Sequence, residues 1–270
     1  MIDAHFHIWR LARADYGWLT PALAPIYRDV AFDDWRAVSR PCGFRAGIVV
    51  QAAPTEAETA FLLEQADAAP DVLGVVGWVD MLAADAPRRI EMLARRPKLK
   101  GLRPMLQDIA DPDWILQPGV QPALHAMAAA GLVFDALVKP VHLPRILALA
   151  MRHPDLRIVI DHGAKPDIAA GQWDDWAEGL RRLAGDTSAF CKLSGLWNEA
   201  GPGASGQALR RHAGFVLECF GPARTLWGSD WPVLELAGGY AEWFGLAQAL
   251  VPPEAREQVF GATARVAYGL

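Results

Sequence analysis

Met1-Ile2-Asp3-Ala4-His5-Phe6-His7-Ile8-Trp9 opens the chain. Ile2, Ala4, Phe6 and Ile8 alternate with Asp3, His5 and His7, so a period-2 strand puts both imidazoles on one face. Two residues along a strand span roughly 7 Å, close enough for the rings to converge on one water, carbonyl oxygen or metal ion. A doubly wound open sheet would follow its first strand with a glycine-rich phosphate turn. Here His-x-His stands in that place, and the reading turns toward a barrel.

The rest of the chain repeats the unit. Strands are expected at Ile2–Ile8, Ala46–Ala52, Val72–Val79, Leu99–Met105, Leu132–Val138, Leu156–Asp161, Ala189–Ser194 and Thr225–Ser229. Most are rich in Val, Ile and Leu without clean alternation, as strands buried on both faces are. Helical patterns fill the intervals. Thr55-Glu56-Ala57-Glu58 reads as a capping box ahead of Ala60–Ala68. Pro122–Ala130 stops at Gly131, a glycine placed to end a helix. Further helices fit Pro87–Arg96, Leu143–Arg152, Trp173–Ala184, Gln207–Cys219, Tyr240–Leu250 and Pro253–Tyr268. Alternation that closes at eight is the pattern of a (β/α)8 TIM barrel, here one domain over residues 1–270. Gly201–Gly206 reads as a loop tip within it.

Composition narrows the class. Hydrophobic residues make up 52% and charged residues 21%, ample for a large core and unlike a disordered chain. The net charge of −5, with no basic block, argues against a nucleic-acid partner. Cys42, Cys191 and Cys219 are odd in number and unpatterned, which reads as reduced thiols in a cytoplasm. No secretory leader pattern and no apolar run near the ~20 residues of a membrane span is present. The expectation is a soluble, cytoplasmic protein with no membrane partner.

In such a barrel the site forms where the strands end. The first strand brings His5 and His7, the fourth Arg103, the sixth Asp161 and His162, the seventh Lys192, and the eighth Asp230. Asp161 is expected to play a structural part, capping the next helix or pairing with Lys165. Arg103 and Lys192 are expected to bind substrate, because a cation in mid-barrel is costly without a partner. His125, His142, His153 and His212 fall on helices or connections and are expected at the surface. Among eleven tryptophans, Trp9, Trp78, Trp114, Trp197, Trp227 and Trp231 fall at strand ends or just beyond. A wall of indoles suits a flat ring with apolar faces and polar edges, such as a sugar or its lactone. The segment Arg10–Arg36, with Trp18, is placed to lie over the site as a lid.

Taken in order, Ile2-Asp3-Ala4-His5-x-His7, Tyr16-Gly17-Trp18, Lys100-Gly101-x-Arg103, Asp161-His162-x-x-Lys165-Pro166, Lys192-Leu193-Ser194-Gly195 and Trp227-Gly228-Ser229-Asp230-Trp231-Pro232 make a specific set. The set, running through essentially the whole chain to Phe260-Gly261 and Tyr268-Gly269-Leu270, resembles the lactonase branch of the amidohydrolase superfamily. That branch holds L-fuconolactone, L-rhamnonolactone and 2-pyrone-4,6-dicarboxylate hydrolases. The resemblance implies hydrolysis of a lactone ring. It implies that Asp230 takes a proton from the attacking water and that His5, His7 and His162 line the reacting carbonyl. Arg103 and Lys192, with Trp18 and Trp197, would bind substrate.

Metal use is left open by the residues. Many superfamily members bridge two metals through a carboxylated lysine at the end of strand four, where this chain has Arg103 and Pro104. A binuclear centre is not expected. One zinc on His5, His7 and Asp230 is allowed, with no cofactor obligatory. Alternatives are a zinc-dependent decarboxylase of the same superfamily, a hydrolase of the 2-pyrone-4,6-dicarboxylate type, a lactone isomerase and a sugar-binding barrel without catalysis. An aldonolactone such as L-fucono-lactone is preferred, because a dicarboxylate calls for several convergent arginines. The oligomeric state is not legible.

Overall fold

The structure is a computed structural model that describes residues 1–201, 204 and 206–270. Among these, eight strands form one sheet: β1 (Ile2–Phe6), β2 (Ala46–Val50), β3 (Val72–Gly77), β4 (Leu99–Leu102), β5 (Val133–Ala136), β6 (Ile158–Ile160), β7 (Phe190–Leu193) and β8 (Thr225–Trp227). They pair in chain order, every neighbour parallel. The ring closes between β1 and the segment after β8. Phe6 pairs in parallel with Trp231, and the Asp230 and His7 N–H groups donate to the carbonyls of His5 and Trp231, each at 2.8 Å. A Cβ on Gly228 would lie 2.7 Å from that of His5, so only glycine admits this close approach. The result is the expected (β/α)8 barrel.

The helices among the described residues are α1 (Phe32–Ser39), α2 (Glu56–Asp67), α3 (Ala86–Ala94), α4 (Gln121–Ala129), α5 (Leu143–Arg152), α6 (Asp174–Asp186), α7 (Leu196–Ala200), α8 (Gly206–Phe220), α9 (Tyr240–Leu250) and α10 (Thr263–Tyr268). Thr55 caps α2, its hydroxyl accepting from the Glu58 N–H at 3.0 Å. The helix therefore starts at Glu56 rather than Ala60. Glu58 does not complete the capping box, because its buried carboxylate accepts instead from the Tyr16 hydroxyl at 2.7 Å and the Ala52 N–H at 3.2 Å. Gly131 ends α4 with φ +67°, as expected. The helix expected over Pro253–Tyr268 is broken into a short turn at Pro253–Ala255, a widened turn at Gln258–Ala262 and α10. Helices α1 and α7 were not expected, and α1 takes up the end of the segment read as a lid. Of the loop tip at 201–206, Pro202, Gly203 and Ser205 lie outside the described residues.

Apolar residues divide into two layers. Ile2, Ala4, Ile48, Val50, Val76, Val133, Val159 and Leu226 fill the barrel together with Ala264, Ala267 and Tyr268 of α10, which stop its floor. A larger cluster packs the helices onto the outside of the sheet. Trp9, Trp227 and Trp231 belong to that outer cluster, each at most 1% exposed, so half of the expected wall of indoles is core. His142, His153 and His212 are also buried, against the expectation of a surface position; His125 is exposed. Each buried ring has a local partner: the Lys139 N–H, Gln121 Oε1 and the Trp173 and Trp176 rings respectively. No described helix is long and apolar enough to cross a membrane. The three cysteines are free.

Candidate active site

The strands stop just short of the groups that carry chemistry, so His7, Arg103, His162 and Asp230 stand where the chain leaves the sheet. His162 and Asp230 both take left-handed backbone, with φ +53° and +57°, at a cost of about 1 kcal/mol or more each. Local structure holds them there. A Cβ on Gly195 would stand 2.6 Å from the His162 ring, so glycine makes the room that ring occupies.

Asp230 Oδ1 is the focus. Three imidazole Nε2 atoms face it: His7 at 3.2 Å, His5 at 3.6 Å and His162 at 3.9 Å. His7 Nδ1 meets the Val50 carbonyl at 2.7 Å, and its Nε2 stands 3.2 Å from both Asp230 Oδ1 and His5 Nε2. His162 Nδ1 meets the Ser194 hydroxyl at 2.9 Å. Burial pushes the Asp230 carboxyl up, but His162, His7 and His5 outweigh it and hold the group below its usual range. Burial in turn lowers His162 to about 4, against the attraction of Asp230 and Asp161. Burial and the Lys192 charge hold His5 well below its ordinary value. At neutral pH the centre is an ionised carboxylate facing neutral His5 and His162 rings.

Beneath it lies a layer of buried charge. Arg103 Nη1 donates to Asp161 Oδ2 at 3.3 Å and stands 3.5 Å from His5 Nε2, while Nη2 donates to the Gln51 carbonyl. Gln51 reciprocates, its Nε2 donating to the Arg103 carbonyl at 2.8 Å. Lys192 Nζ donates to Asp135 Oδ2 at 2.5 Å and to His5 Nδ1 at 3.1 Å, and pairs with Asp161 Oδ1 at 2.9 Å. Lys192, Arg103 and His5 outweigh the burial of Asp161 and hold its carboxyl well below the usual range.

Two expectations need correction here. Lys192 is fully buried and its side chain has no surface at the mouth, so the substrate contact expected of it is not made. Asp161 neither caps a helix nor pairs with Lys165, which pairs with Glu199 at 2.5 Å; it sits between both site cations. Asp3 departs as well. The strand register shifts between Asp3 and Phe6, and Asp3 turns away from the two imidazoles. It accepts from Trp35 Nε1 at 3.0 Å, the Ser229 hydroxyl at 2.7 Å, the Tyr240 hydroxyl at 3.0 Å and the N–H groups of His5 and Ser229. Asp3 thereby fixes the backbone on either side of the site, a part that alternation alone did not disclose.

A cavity of about 520 Å3 opens over the ends of β2 to β4; His5, His7, Arg103, His162 and Asp230 are not among its lining residues. Trp18, Trp78 and Trp114 line it with the carboxylates of Asp15, Asp80 and Asp108. Pro104, next to Arg103, forms part of its wall. Trp18 is 36% exposed, and its Nε1 donates to the Ala52 carbonyl at 2.7 Å. Its ring meets Trp9 edge-on at 5.6 Å, and Trp9 stacks at 6.3 Å from His7. Trp197 does not line this cavity; it packs on Gly238.

His5, His7 and Asp230 present ligand atoms within 4.8 Å of one another, a donor set whose residue types suit zinc. His7 Nδ1 donates to a carbonyl and turns Nε2 inward, the usual arrangement of a ligating histidine. His5 Nδ1 meets the Lys192 ammonium at 3.1 Å and Asp161 Oδ1 at 3.5 Å, and its Nε2 meets His7 Nε2 at 3.2 Å and Arg103 Nη1 at 3.5 Å. These three residues would hold a single zinc.

Comparison with known proteins agrees with the geometry. The amidohydrolase family model matches residues 2–270. The chain belongs to the amidohydrolase family. Within it, an L-fucono-1,5-lactonase from Burkholderia ambifaria is 46% identical over 270 residues, covering 97% of this chain and 93% of its own. An amidohydrolase from Burkholderia multivorans, crystallised with bound HEPES, superposes with a TM-score of 0.93 at 34% identity, covering 100% and 99% of the two chains. A second crystal form of that amidohydrolase holds zinc and superposes at 0.92 with 33% identity, over the same shares.

Proposed function

We propose that the chain hydrolyses a sugar lactone, an aldono-1,5-lactone of the L-fucono type. The observation that carries this reading is the convergence of three imidazoles on one ionised carboxylate, beside an arginine, with an aromatic cavity over the ends of β2 to β4. The lactonase name of the 46% identical relative supports it.

Each group has a place in the reaction. Water stands against Asp230, which accepts its proton as the oxygen bonds to the lactone carbonyl carbon. The carbonyl oxygen becomes an oxyanion facing the Arg103 guanidinium, which His5 backs at 3.5 Å. Collapse of the tetrahedral intermediate breaks the bond to the ring oxygen, and the proton held by Asp230 passes to it. The product is the open hydroxy acid. His7 and His162 hold Asp230 in place and in its ionised form. No step passes through a metal.

The cavity supports an uncharged substrate. Its indoles offer flat apolar faces to a sugar ring, and its carboxylates accept from hydroxyls. Asp80 and Asp108 would repel a dicarboxylate, whereas Asp15 is paired with Arg13 at 2.6 Å. A panel of aldono-1,4- and aldono-1,5-lactones plus 2-pyrone-4,6-dicarboxylate, read by proton release, tests the reading. Turnover of the neutral lactones over the dicarboxylate is expected, and a preference for the dicarboxylate would overturn it.

A further inference from the structure

The loop between Trp9 and Val30 is pinched at its base, where each of these residues donates its N–H to the other's carbonyl, at 3.0 and 2.9 Å. It carries Asp15 and Trp18 into the cavity wall. Both are gripped by groups that lead to one side chain, Glu58 in the first turn of α2. Asp15 Oδ2 accepts from Arg13 Nη2 at 2.6 Å and from the Thr55 hydroxyl at 2.8 Å. Arg13 Nε faces Glu58 Oε2 at 3.4 Å and donates to the Tyr16 hydroxyl at 3.2 Å, which donates on to the same oxygen at 2.7 Å. Trp18 Nε1 donates to the Ala52 carbonyl at 2.7 Å, and the Ala52 N–H donates to Glu58 Oε1 at 3.2 Å. One carboxylate thus holds both cavity residues, one through each oxygen. Glu58 is fully buried, so water does not compete for these contacts. A glutamate three residues after a threonine cap ordinarily reaches back to the cap N–H. Here the Thr55 N–H goes to the Ala53 carbonyl at 2.9 Å, and the carboxylate turns to the loop instead.

We propose that Glu58 is a positioning residue for substrate binding, fastening the loop so that Asp15 and Trp18 stand ready in the cavity wall. Glu58 does not itself line the cavity and acts only through its neighbours. Without its Oε2 the Arg13 guanidinium and the Tyr16 hydroxyl lose a shared acceptor, and Asp15 is left with a partner that is no longer held. The guanidinium still rests on the Phe61 ring, 4.7 Å from its centre, so the loop loosens without leaving α2. A loosened indole and carboxylate must be ordered by the ligand as it binds, which weakens binding and leaves the bond-making step alone. That the occupant is a lactone ring rests on the reading above; the fastening does not.

Glu58→Gln tests the proposal with little change of shape. Its amide oxygen still accepts from the Ala52 N–H, while an NH2 replaces the oxygen that held Tyr16 and Arg13. Hydrogen–deuterium exchange read by mass spectrometry is expected to be at least about fivefold faster over residues 10–20, with α5 unchanged. Unchanged exchange in the loop, or a rise shared equally by α5, overturns the proposal. KM for the lactone is expected to rise about fivefold with kcat within about twofold. An unchanged KM, or a fall in kcat alone, would leave Glu58 a merely structural residue and overturn its part. An Asp15→Asn/Trp18→Ala background completes the set. There Glu58→Gln is expected to add less than about twofold in KM, because the groups it positions are gone. A full further rise overturns the route through Asp15 and Trp18. If no lactone is turned over while the loop exchange responds as expected, the function fails and the fastening stands.

Discussion

Asp230 Oδ1 stands 3.2 Å from His7 Nε2, and the two residues belong to opposite ends of the chain. The closure of the barrel makes that contact, since the Asp230 and His7 N–H groups bond across the β1–β8 seam. Catalytic geometry and fold closure are therefore one feature. A change at the seam should be felt at the carboxylate.

Removing the carboxylate should abolish catalysis and spare the fold. Asp230→Asn keeps the shape, and Asn tolerates the left-handed backbone found at this position. The expected loss is about 10²–10⁴-fold in kcat, with the circular dichroism spectrum unchanged. A variant that keeps more than a tenth of the activity would take Asp230 out of the base role.

The cavity should decide which lactone is accepted. Trp18→Ala is expected to raise KM several-fold with little change in kcat, because the indole binds ground state and transition state alike. Asp80→Lys should shift kcat/KM toward carboxylated lactones. Steady-state kinetics on paired neutral and carboxylated lactones reads both, and an unchanged ratio in Asp80→Lys would remove the charge argument.

Acid should destabilise the fold through His162. Its pKa is about 4 in the folded chain and roughly 6.5 unfolded, so between those values the unfolded state binds the extra proton. Stability therefore falls as pH drops from about 6.5 to about 4, by up to about 3 kcal/mol. Urea midpoints across that window should show a smaller acid-side loss in His162→Asn than in the parent. Parallel curves for the two proteins would contradict the assignment.

The Tyr16 hydroxyl should matter to stability. It donates to Glu58, whose buried carboxyl is pushed up to about 7 by burial, against the Tyr16 hydrogen bond. Tyr16→Phe leaves that carboxylate one donor short, an expected cost of about 1–3 kcal/mol. The same hydroxyl ties the 13–18 segment to α2, so KM should rise with it. Denaturant melts and KM measured together check both effects.

The fold was legible because each strand is an apolar run and each helix carries punctuation: His-x-His opened the first strand, and Gly131 closed α4. The mouth residues were legible because they follow those runs directly, as Arg103 follows Leu102. The layer beneath was not. Asp135, Gln51 and Tyr268 sit inside apolar runs that give no sign of which face they take, and Lys192 shows only that a cation is buried. Its partners lie on β1, on β5 and just after β6, and spacing along a chain does not encode pairs that only barrel closure brings together. The tryptophans misled for a related reason. A strand-end position does not say whether a ring turns to the mouth or into the outer core, and Trp9, Trp227 and Trp231 took the core.

The most direct test is hydrolysis of L-fucono-1,5-lactone by chelator-treated protein, followed by proton release beside Asp230→Asn. Rapid turnover that survives chelation and collapses in Asp230→Asn is the expected result. No turnover, or turnover that returns only on adding zinc, would contradict a carboxylate-driven lactonase and favour a zinc-dependent reaction at the same mouth.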